Sequence, residues 1–470
     1  MKSETALISP STLTISSSIE SAQLRNESAS TESHVFNEMR PPTAAFATLG
    51  CKVNQYETQR ILERFEERGF RITEFNRVAD VYVINTCSVT QAAERKSRQL
   101  VRRLSNQNPD AVVVMTGCYA EMARIKSETV EEAALIVPNP DKLSTLNHFL
   151  QAYPQFEEWL KKAPAPPTHL QPRSRHGRTR ATLKIQDGCN VYCSFCSIPY
   201  TRSQMRSRPL DELLNEARQL ADQGFRELVI TGVLVGSYGE ATGSGGADLA
   251  ELLAALTHVP GIERVRLSSI EPTQVTPSLL NAFAENPKLC SHLHIPLQSG
   301  DSQVLQAMNR PYDQDFYLNL CETAYRRIPD LAVTTDIIVG FPTEDRAAFE
   351  QTLQVVDTVG FARAHIFRYS PRPGTPASGF ANPVSEAEKE ARSQELSERC
   401  RLSQQRFIGR YIGAKLGVLV EGKEAAGGLL AGYTSNYIRV QLTGGSHLIG
   451  AVCPVHIIEP AADGAIGEVE

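Results

Sequence analysis

The stretch QDGCNVYCSFCSIPYTRSQMRSRP, residues 186–209, packs three cysteines into eight positions, Cys189, Cys193 and Cys196, and runs on into Arg202, Arg206 and Arg208. A structural zinc site takes four ligands, commonly as two CxxC-like pairs. Here the pattern is CxxxCxxC, and no fourth Cys or His follows close behind. Three thiolates from one short loop can hold three irons of a cubane cluster and leave the fourth iron open. An incomplete shell marks a working site, because the open position can take a substrate, as it does at catalytic zinc.

A βα alternation runs on from this loop. ATLKIQ (181–186), ELVITGV (227–233), RVRLSSI (264–270), HLHIPLQ (292–298), AVTTDIIVGF (332–341) and RAHIFRYS (363–370) read as strands. Helical stretches at 209–223, 248–258, 277–286, 314–327 and 344–359 lie between them. Six β/α units suit a partial or full barrel with function on the loops after the strands, and the triple-cysteine loop follows the first. Upstream, AAFATLGC (44–51), VYVINTC (81–87) and AVVVMTGC (111–118) are short apolar strands that end at Cys51, Cys87 and Cys118. An amphipathic stretch from Asn54 to Gly69 and a basic helix from about Gln91 to Ser105 complete a compact parallel α/β unit. In an open parallel sheet the carboxyl ends of the strands share the edge where such folds place ligands. The three cysteines can therefore meet there; the alternative is three small buried residues at strand ends.

The expected organisation is an extension over 1–42, an α/β domain over 43–148, a linker over 149–178, a barrel over 179–398, a small domain over 400–462 and a tail over 463–470. The first segment is rich in Ser, Thr and Glu without apolar periodicity, which reads as disordered. It has neither the apolar stretch of a secretory signal nor the acid-poor composition of a transit peptide, so a cytoplasmic protein is expected. The linker turns Pro-rich and then basic, with Arg173, Arg175 and Arg178, and Arg180 follows just beyond it. After a charged helix near 385–411, short strands broken by glycines suggest a small closed β-barrel of the nucleic-acid-binding OB type.

Net charge is −5, with 41% hydrophobic and 21% charged residues. The whole protein is thus no general polyanion binder, and any nucleic-acid site is a local patch. No apolar run approaches the roughly 18 residues of a membrane span. Ten cysteines in a chain of 470 do not make a disulfide scaffold; clustered thiols in a reducing cytosol are more often ligands or catalytic groups.

A CxxxCxxC loop after the first strand of a β/α barrel resembles the radical S-adenosylmethionine enzymes, and Phe195 fits their CxΦC ending. The resemblance implies a cluster on Cys189, Cys193 and Cys196 whose open iron is chelated by S-adenosylmethionine, which is then cleaved to methionine and a 5′-deoxyadenosyl radical. With the upstream trio and the terminal barrel, residues 42–462 resemble the methylthiotransferases. That implies a (β/α)6 partial barrel, a second 4Fe–4S cluster on Cys51, Cys87 and Cys118, and a terminal TRAM-like domain that binds RNA. TLGCKVNQYET (48–58) and GCNVYCSFCSIPYTRSQMRSRP (188–209) look most like the branch acting on threonylcarbamoyladenosine in tRNA. The branches acting on isopentenyladenosine or on a ribosomal-protein aspartate remain alternatives, and an RNA-binding protein with structural zinc is the reading from another class. Carbon 2 of adenine carries an unactivated C–H bond that no protein acid or base breaks, whereas a primary carbon radical, made away from water, does. The family scheme uses S-adenosylmethionine twice, once to methylate sulfur and once for the radical; it implies a flavodoxin or ferredoxin as electron donor and leaves the sulfur source open.

Further residues are read against blander alternatives. TGVLVGSYG (231–239) follows the second strand, making Thr231 and Gly232 candidate cofactor contacts, with Ser268 and Gln298 at the next two strand ends. Arg202, Arg206 and Arg208 suit phosphate contact, or a solvated basic surface, and Tyr192 and Tyr200 suit base stacking. Tyr433, Tyr437 and Arg439 suit RNA in the last domain. His292 and His294 read as buried, hydrogen-bonded residues, and Cys290, Cys321, Cys400 and Cys453 as small apolar ones. Asp336, inside the fifth strand, reads equally well as a core carboxylate.

Overall fold

The computed structural model describes residues 40–163, 179–240, 246–381, 383–423 and 428–470. The expected extension up to residue 39, and Arg173, Arg175 and Arg178 of the linker, lie outside the described residues. The chain divides into two compact units. The second takes in Gly50–Tyr56 and Cys87–Glu94, the segments that carry Cys51 and Cys87, together with everything described after 178.

The first unit is built on a parallel sheet ordered β2-β1-β3-β4-β5, from β1 (Thr43–Thr48), β2 (Arg71–Thr73), β3 (Val81–Thr86), β4 (Val112–Gly117) and β5 (Leu135–Val137). Every residue of β3 is buried, as expected of a central strand covered on both faces. One face packs on Phe65, Phe70, Phe149, Phe156 and Trp159, the other on Val101, Leu104, Tyr119 and Ala123. Residues expected to begin a linker at 149 are instead helical over Thr145–Ala152 and Pro154–Lys162. The second helix buries Phe156 and Trp159 in the sheet core, where each large-to-alanine change costs about 3–5 kcal/mol.

In the second unit β6 (Arg180–Lys184) leads to β7 (Gln186–Asp187), which pairs antiparallel with β8 (Arg206–Ser207) at the base of the triple-cysteine loop. β9 (Glu227–Thr231) and β10 (Arg264–Leu267) join β6 in a parallel sheet ordered β10-β9-β6. β11 (His292–His294), β12 (Ala332–Val339) and β13 (Arg363–Arg368) form a second parallel sheet. Parallel bridges Val265↔Leu289 and Ser269↔His294 carry the pairing from one sheet to the other, so six parallel strands form a partial barrel. The strands alternate: Leu183, Val265, Leu267, Leu293 and Ile337 belong to the apolar core, while Arg264, Arg266, His292, His294 and Asp336 carry the other face. This polar lining distinguishes the barrel from one filled by branched side chains.

After a helix over Glu386–Gly409, five strands close a small barrel ordered β14-β15-β16-β18-β17. They are β14 (Lys415–Lys423), β15 (Leu430–Thr434), β16 (Arg439–Leu442), β17 (Val452–Ala461) and β18 (Gly464–Val469). The residues expected as a tail are therefore the strand that completes the barrel, pairing parallel with β16 and antiparallel with β17. Its β15–β16 turn is seated on the larger barrel. Arg264 donates to the Tyr433 carbonyl at 2.9 Å, and Arg266 to the Thr434 and Ser435 carbonyls at 3.0 and 2.8 Å. Both guanidiniums also face the buried Glu227, which Arg266 Nε meets at 2.7 Å. Among the described residues no helix is long and apolar enough to cross a membrane.

Candidate active site

The triple-cysteine loop is shaped by its backbone. Gly188 has φ +87°, and a Cβ there would lie 2.2 Å from the Gln204 carbonyl oxygen, so only glycine fits before Cys189. Ser194 N–H donates to the Met308 carbonyl at 2.9 Å and its hydroxyl to the Ala307 carbonyl at 2.8 Å. Tyr192 is held at φ 51°, with Asn309 Nδ2 donating to its carbonyl at 2.9 Å.

Donors surround the sulfurs. Arg310 Nη1 lies 2.9 Å from Cys193 Sγ, and its other nitrogens engage Glu271 and Tyr312. Ile198 N–H points at Cys196 Sγ from 3.4 Å, and Val89 N–H at Cys87 Sγ from 3.4 Å. Burial raises the pKa of all three thiols of the loop, that of Cys196 up to about 12. Thiols so placed become thiolates only against a strong local positive charge, which a metal centre supplies.

Cys51, Cys87 and Cys118 each follow the carboxyl end of a neighbouring strand, β1, β3 and β4. Gly50 before Cys51 has φ +95°, and its Cβ would fall 2.6 Å from Cys87 Sγ, so the absent side chain lets the Cys51 loop approach Cys87. Gly117 before Cys118 repeats the geometry with φ +99°. A Gly-Cys dipeptide at 50–51, 117–118 and 188–189 is thus a signal that sequence reading passed over.

Arg372 ties the segments that follow Cys87 and Cys196 together. Its Nη1 donates to the Ser88 carbonyl at 3.0 Å and to Ser197 Oγ at 3.2 Å, and these serines follow Cys87 and Cys196. Among the described residues no three His, Cys, Asp or Glu side chains are gathered closely enough to hold one metal ion.

The other expected contacts sort by burial. Phe195 packs 6.4 Å from Phe341 in an edge-on pair. Thr231 is buried at the end of β9, its carbonyl accepting from Ile185 N–H at 2.8 Å, and Gly232 lies against Gln186. Ser268 is 8% exposed, and Gln298, at φ 63°, bridges to β12 through its backbone. Arg202 corrects the RNA expectation: its side chain is 2% exposed and donates to Asp187 at 2.7 Å and Asn54 at 3.0 Å. Arg208 is likewise engaged, by Glu216 at 2.8 Å and by Tyr56 and the Lys184 carbonyl at 3.0 Å. Arg206, Tyr192 and Tyr200 are exposed, the two rings meeting edge-on at 6.0 Å.

Tyr433 and Tyr437 also depart from the RNA expectation. They stack on each other at 5.0 Å, and Tyr437, at φ 65°, stacks on His292 at 4.4 Å. Arg180 lies over both rings and Arg266 over Tyr437. They serve the seat between the barrels, with Arg439 half-buried beside them in sequence. His292 and His294 both bond to Thr334 Oγ1, at 2.8 and 2.9 Å, and His294 Nε2 lies 3.3 Å from Asp336. Cys290, Cys321, Cys400 and Cys453 are buried. Sequence reading missed Arg310, Glu271, Arg372 and Glu227, whose partners lie far along the chain.

Comparison with known proteins completes the description. Residues 183–356 match the model described as the radical SAM superfamily, and 43–137 that described as uncharacterized protein family UPF0004. The chain is 37% identical to threonylcarbamoyladenosine tRNA methylthiotransferase MtaB of Bacillus subtilis (strain 168), covering 89% of this chain and 94% of that one. It is 36% identical to the protein of that name from Thermotoga maritima, covering 90% and 96%. It is 34% identical to a tRNA-2-methylthio-N(6)-dimethylallyladenosine synthase of Methylobacillus flagellatus, covering 91% and 99%. Among solved structures, the radical S-adenosylmethionine methyltransferase TsrM of Kitasatospora setae is similar in fold, with TM-score 0.51, 13% identity and coverage of 72% and 75%.

Proposed function

Because the chain belongs to the radical S-adenosylmethionine tRNA methylthiotransferases, we propose that it methylthiolates carbon 2 of N6-threonylcarbamoyladenosine beside the anticodon of tRNA. The observation that carries the choice of nucleoside is the 37% identity, over nearly the full length of both chains, to a relative named for it. A second reading, N6-isopentenyladenosine, is favoured by the relatives named for dimethylallyladenosine at 33–34% identity.

The enzyme uses S-adenosylmethionine and 4Fe–4S chemistry, as its superfamily does. Cys189, Cys193 and Cys196 fit such a cluster: three thiols on one loop, Cys193 buried and the other two half-buried, two of them meeting an N–H donor. Bound there, the cluster supplies the low-potential electron that cleaves S-adenosylmethionine. Cys51, Cys87 and Cys118 would hold a second cluster, and the Arg372 bridge supports a layout in which the Cys87 and Cys196 segments serve one substrate. Arg310 keeps its positive charge beside the Cys193 sulfur, and Phe195, Thr231, Gly232, Ser268 and Gln298 are candidate walls for the cofactor. Arg206, Tyr192 and Tyr200 are available to the tRNA backbone and bases. A flavodoxin or ferredoxin would deliver the electron.

The test is mass spectrometry of tRNA nucleosides from cells lacking the protein, complemented with wild type, Cys193→Ala or Cys87→Ala. We expect 2-methylthio-threonylcarbamoyladenosine to vanish, its precursor to accumulate, and only wild type to restore it. Loss of the isopentenyl counterpart instead would move the assignment to the second reading, and no change in either would move it off tRNA.

A further inference from the structure

The helix over Gln91–Gln107 gathers positive charge on one side. It opens shortly after Cys87, and Thr90 caps its first turn, the hydroxyl accepting from Ala93 N–H at 3.0 Å. In 17 residues it sets five Lys or Arg against one Glu, in a chain whose net charge is −5. Ser97, Val101 and Leu104 are buried, the last two in the core of the sheet. At 3.6 residues per turn, Arg95, Lys96, Arg98, Arg102 and Arg103 fall within half of the circumference, opposite that buried stripe. All five are exposed, with Gln99 and Asn106 between them, whereas Glu94, the one carboxylate of the helix, is half-buried. Arg95 and Arg102 are two turns apart, as are Lys96 and Arg103, which is about 10 Å along the axis. The face thus presents two rows of cations.

Neighbouring carboxylates reach only one margin of it. Arg98 meets Glu128 at 3.3 Å and Arg102 meets Glu132 at 3.9 Å, both exposed pairs of the kind that hold little. Among the described residues no carboxylate lies within ion-pair distance of Arg95, Lys96 or Arg103. Cations crowded on one helix face repel one another, so the arrangement destabilises the free protein unless an anion covers it. The helix over Glu386–Gly409 shows the usual solution, with Arg399 on Asp357 and Arg401 on Glu398, each at 2.6 Å. Between its cations the face offers amides, and none of the exposed aromatic or branched apolar side chains that anchor a protein partner. A phosphate backbone asks only for cations and hydrogen-bond donors spread along its path.

We propose that this helix face binds the phosphate backbone of the tRNA substrate, with Arg95, Lys96 and Arg103 as its principal contacts. Arg98 and Arg102 join them by leaving their surface pairs. The proposal rests on the tRNA reading above and assigns a surface to it. It supplies the cations that the strip after the cysteine loop lacks, since Arg202 and Arg208 are committed to Asp187 and Glu216.

The measurement uses the full-length, cluster-loaded enzyme and a fluorescent tRNA anticodon stem-loop, with Kd read by anisotropy across a salt series. Arg95→Gln/Lys96→Gln/Arg103→Gln should bind about 10- to 100-fold more weakly than wild type at physiological salt. The slope of log Kd against log salt should fall by about 2–3, close to one for each lost contact. Partial unfolding or cluster loss scales Kd alike at every salt and leaves the slope unchanged, so the slope isolates phosphate contact. Arg95→Lys/Arg103→Lys should keep both affinity and slope, because a phosphate accepts either cation. Arg399→Gln/Arg401→Gln/Arg406→Gln removes the same charge from a helix of mixed sign and should keep the wild-type slope. The proposal is overturned if the first variant keeps that slope, or if both triple variants lower it equally, which would trace binding to net charge alone. It is also overturned if the first variant binds tRNA as wild type does but takes electrons more slowly from a flavodoxin, which would give the face to that partner. Should wild type itself fail to bind the stem-loop, the tRNA reading falls together with the proposal.

Discussion

Arg310 and Arg372 are the side chains on which the sulfur environment most depends, and neither stands near a cysteine in sequence. Arg310 reaches Cys193 across 117 residues, and Arg372 reaches Ser88 across 284. No periodicity or spacing rule joins positions so distant, whereas the cysteines declare themselves by spacing alone. The same limit explains Arg202: a strip of arginines looks like a phosphate site, but burial and the Asp187 partner are long-range outcomes of folding. Arg372 makes a direct prediction. It positions the segments after Cys87 and Cys196 and does not touch the reacting atoms, so its loss should loosen coupling between the two halves of the reaction. For Arg372→Leu we expect the 5′-deoxyadenosine formed per methylthiolated nucleoside to rise about 10-fold, the worth of a lost charge-assisted bond. Arg372→Lys should recover part of the coupling, and a ratio equal to wild type in the leucine variant would remove Arg372 from this role.

Elements followed the sequence where apolar periodicity is local. β1, β3 and β4 end where the cysteines begin, and the helices over Gln314–Arg327 and Glu386–Gly409 match the charged and amphipathic stretches that announce them. Short elements escaped: β2 and β5 have three residues each, too few for a pattern, and β18 begins at Gly464 in a stretch of small residues. β10 shows what a strand's second face can do. Its core side is Val265 and Leu267, while Arg264 and Arg266 reach Glu227 and the β15–β16 turn. Burial opposes ionisation of Glu227, but Arg266, then Arg180 and Arg264, outweigh it and hold its carboxyl below the ordinary range. A depressed native pKa means stability that is present above the unfolded value of about 4.3 and lost as pH falls through the lower native one. We therefore expect the thermal midpoint of wild type to fall steeply below about pH 4.3. Glu227→Gln should cost about 3–5 kcal/mol at neutral pH, as for a broken buried ion pair, and flatten that acid limb. Calorimetry from pH 3 to 7 decides: parallel acid limbs in the two proteins would exclude Glu227 as the titrating group.

For the whole molecule the question is how many clusters the six cysteines carry. If each trio holds one, Cys51→Ala/Cys87→Ala/Cys118→Ala and Cys189→Ala/Cys193→Ala/Cys196→Ala should each retain half the iron and half the acid-labile sulfide of wild type, and all six changes together should retain neither. Zinc without sulfide would instead favour the structural-zinc reading, and full iron in the first variant would leave Cys51, Cys87 and Cys118 without a cluster. Sequence alone determined the cysteine loop, the strand ends that carry the upstream thiols, the alternation of a six-stranded β/α barrel and the small terminal barrel. Each of these is written in the spacing of near neighbours along the chain, which is what a sequence displays. Tertiary structure alone decided which charges are spent and which are left. It drew Tyr433 and Tyr437 into a seat on His292, locked Arg202 and Arg208 into ion pairs, and set Arg372 between two cysteine segments. Burial and pairing depend on groups brought together from distant positions, so they come into being only when the chain folds.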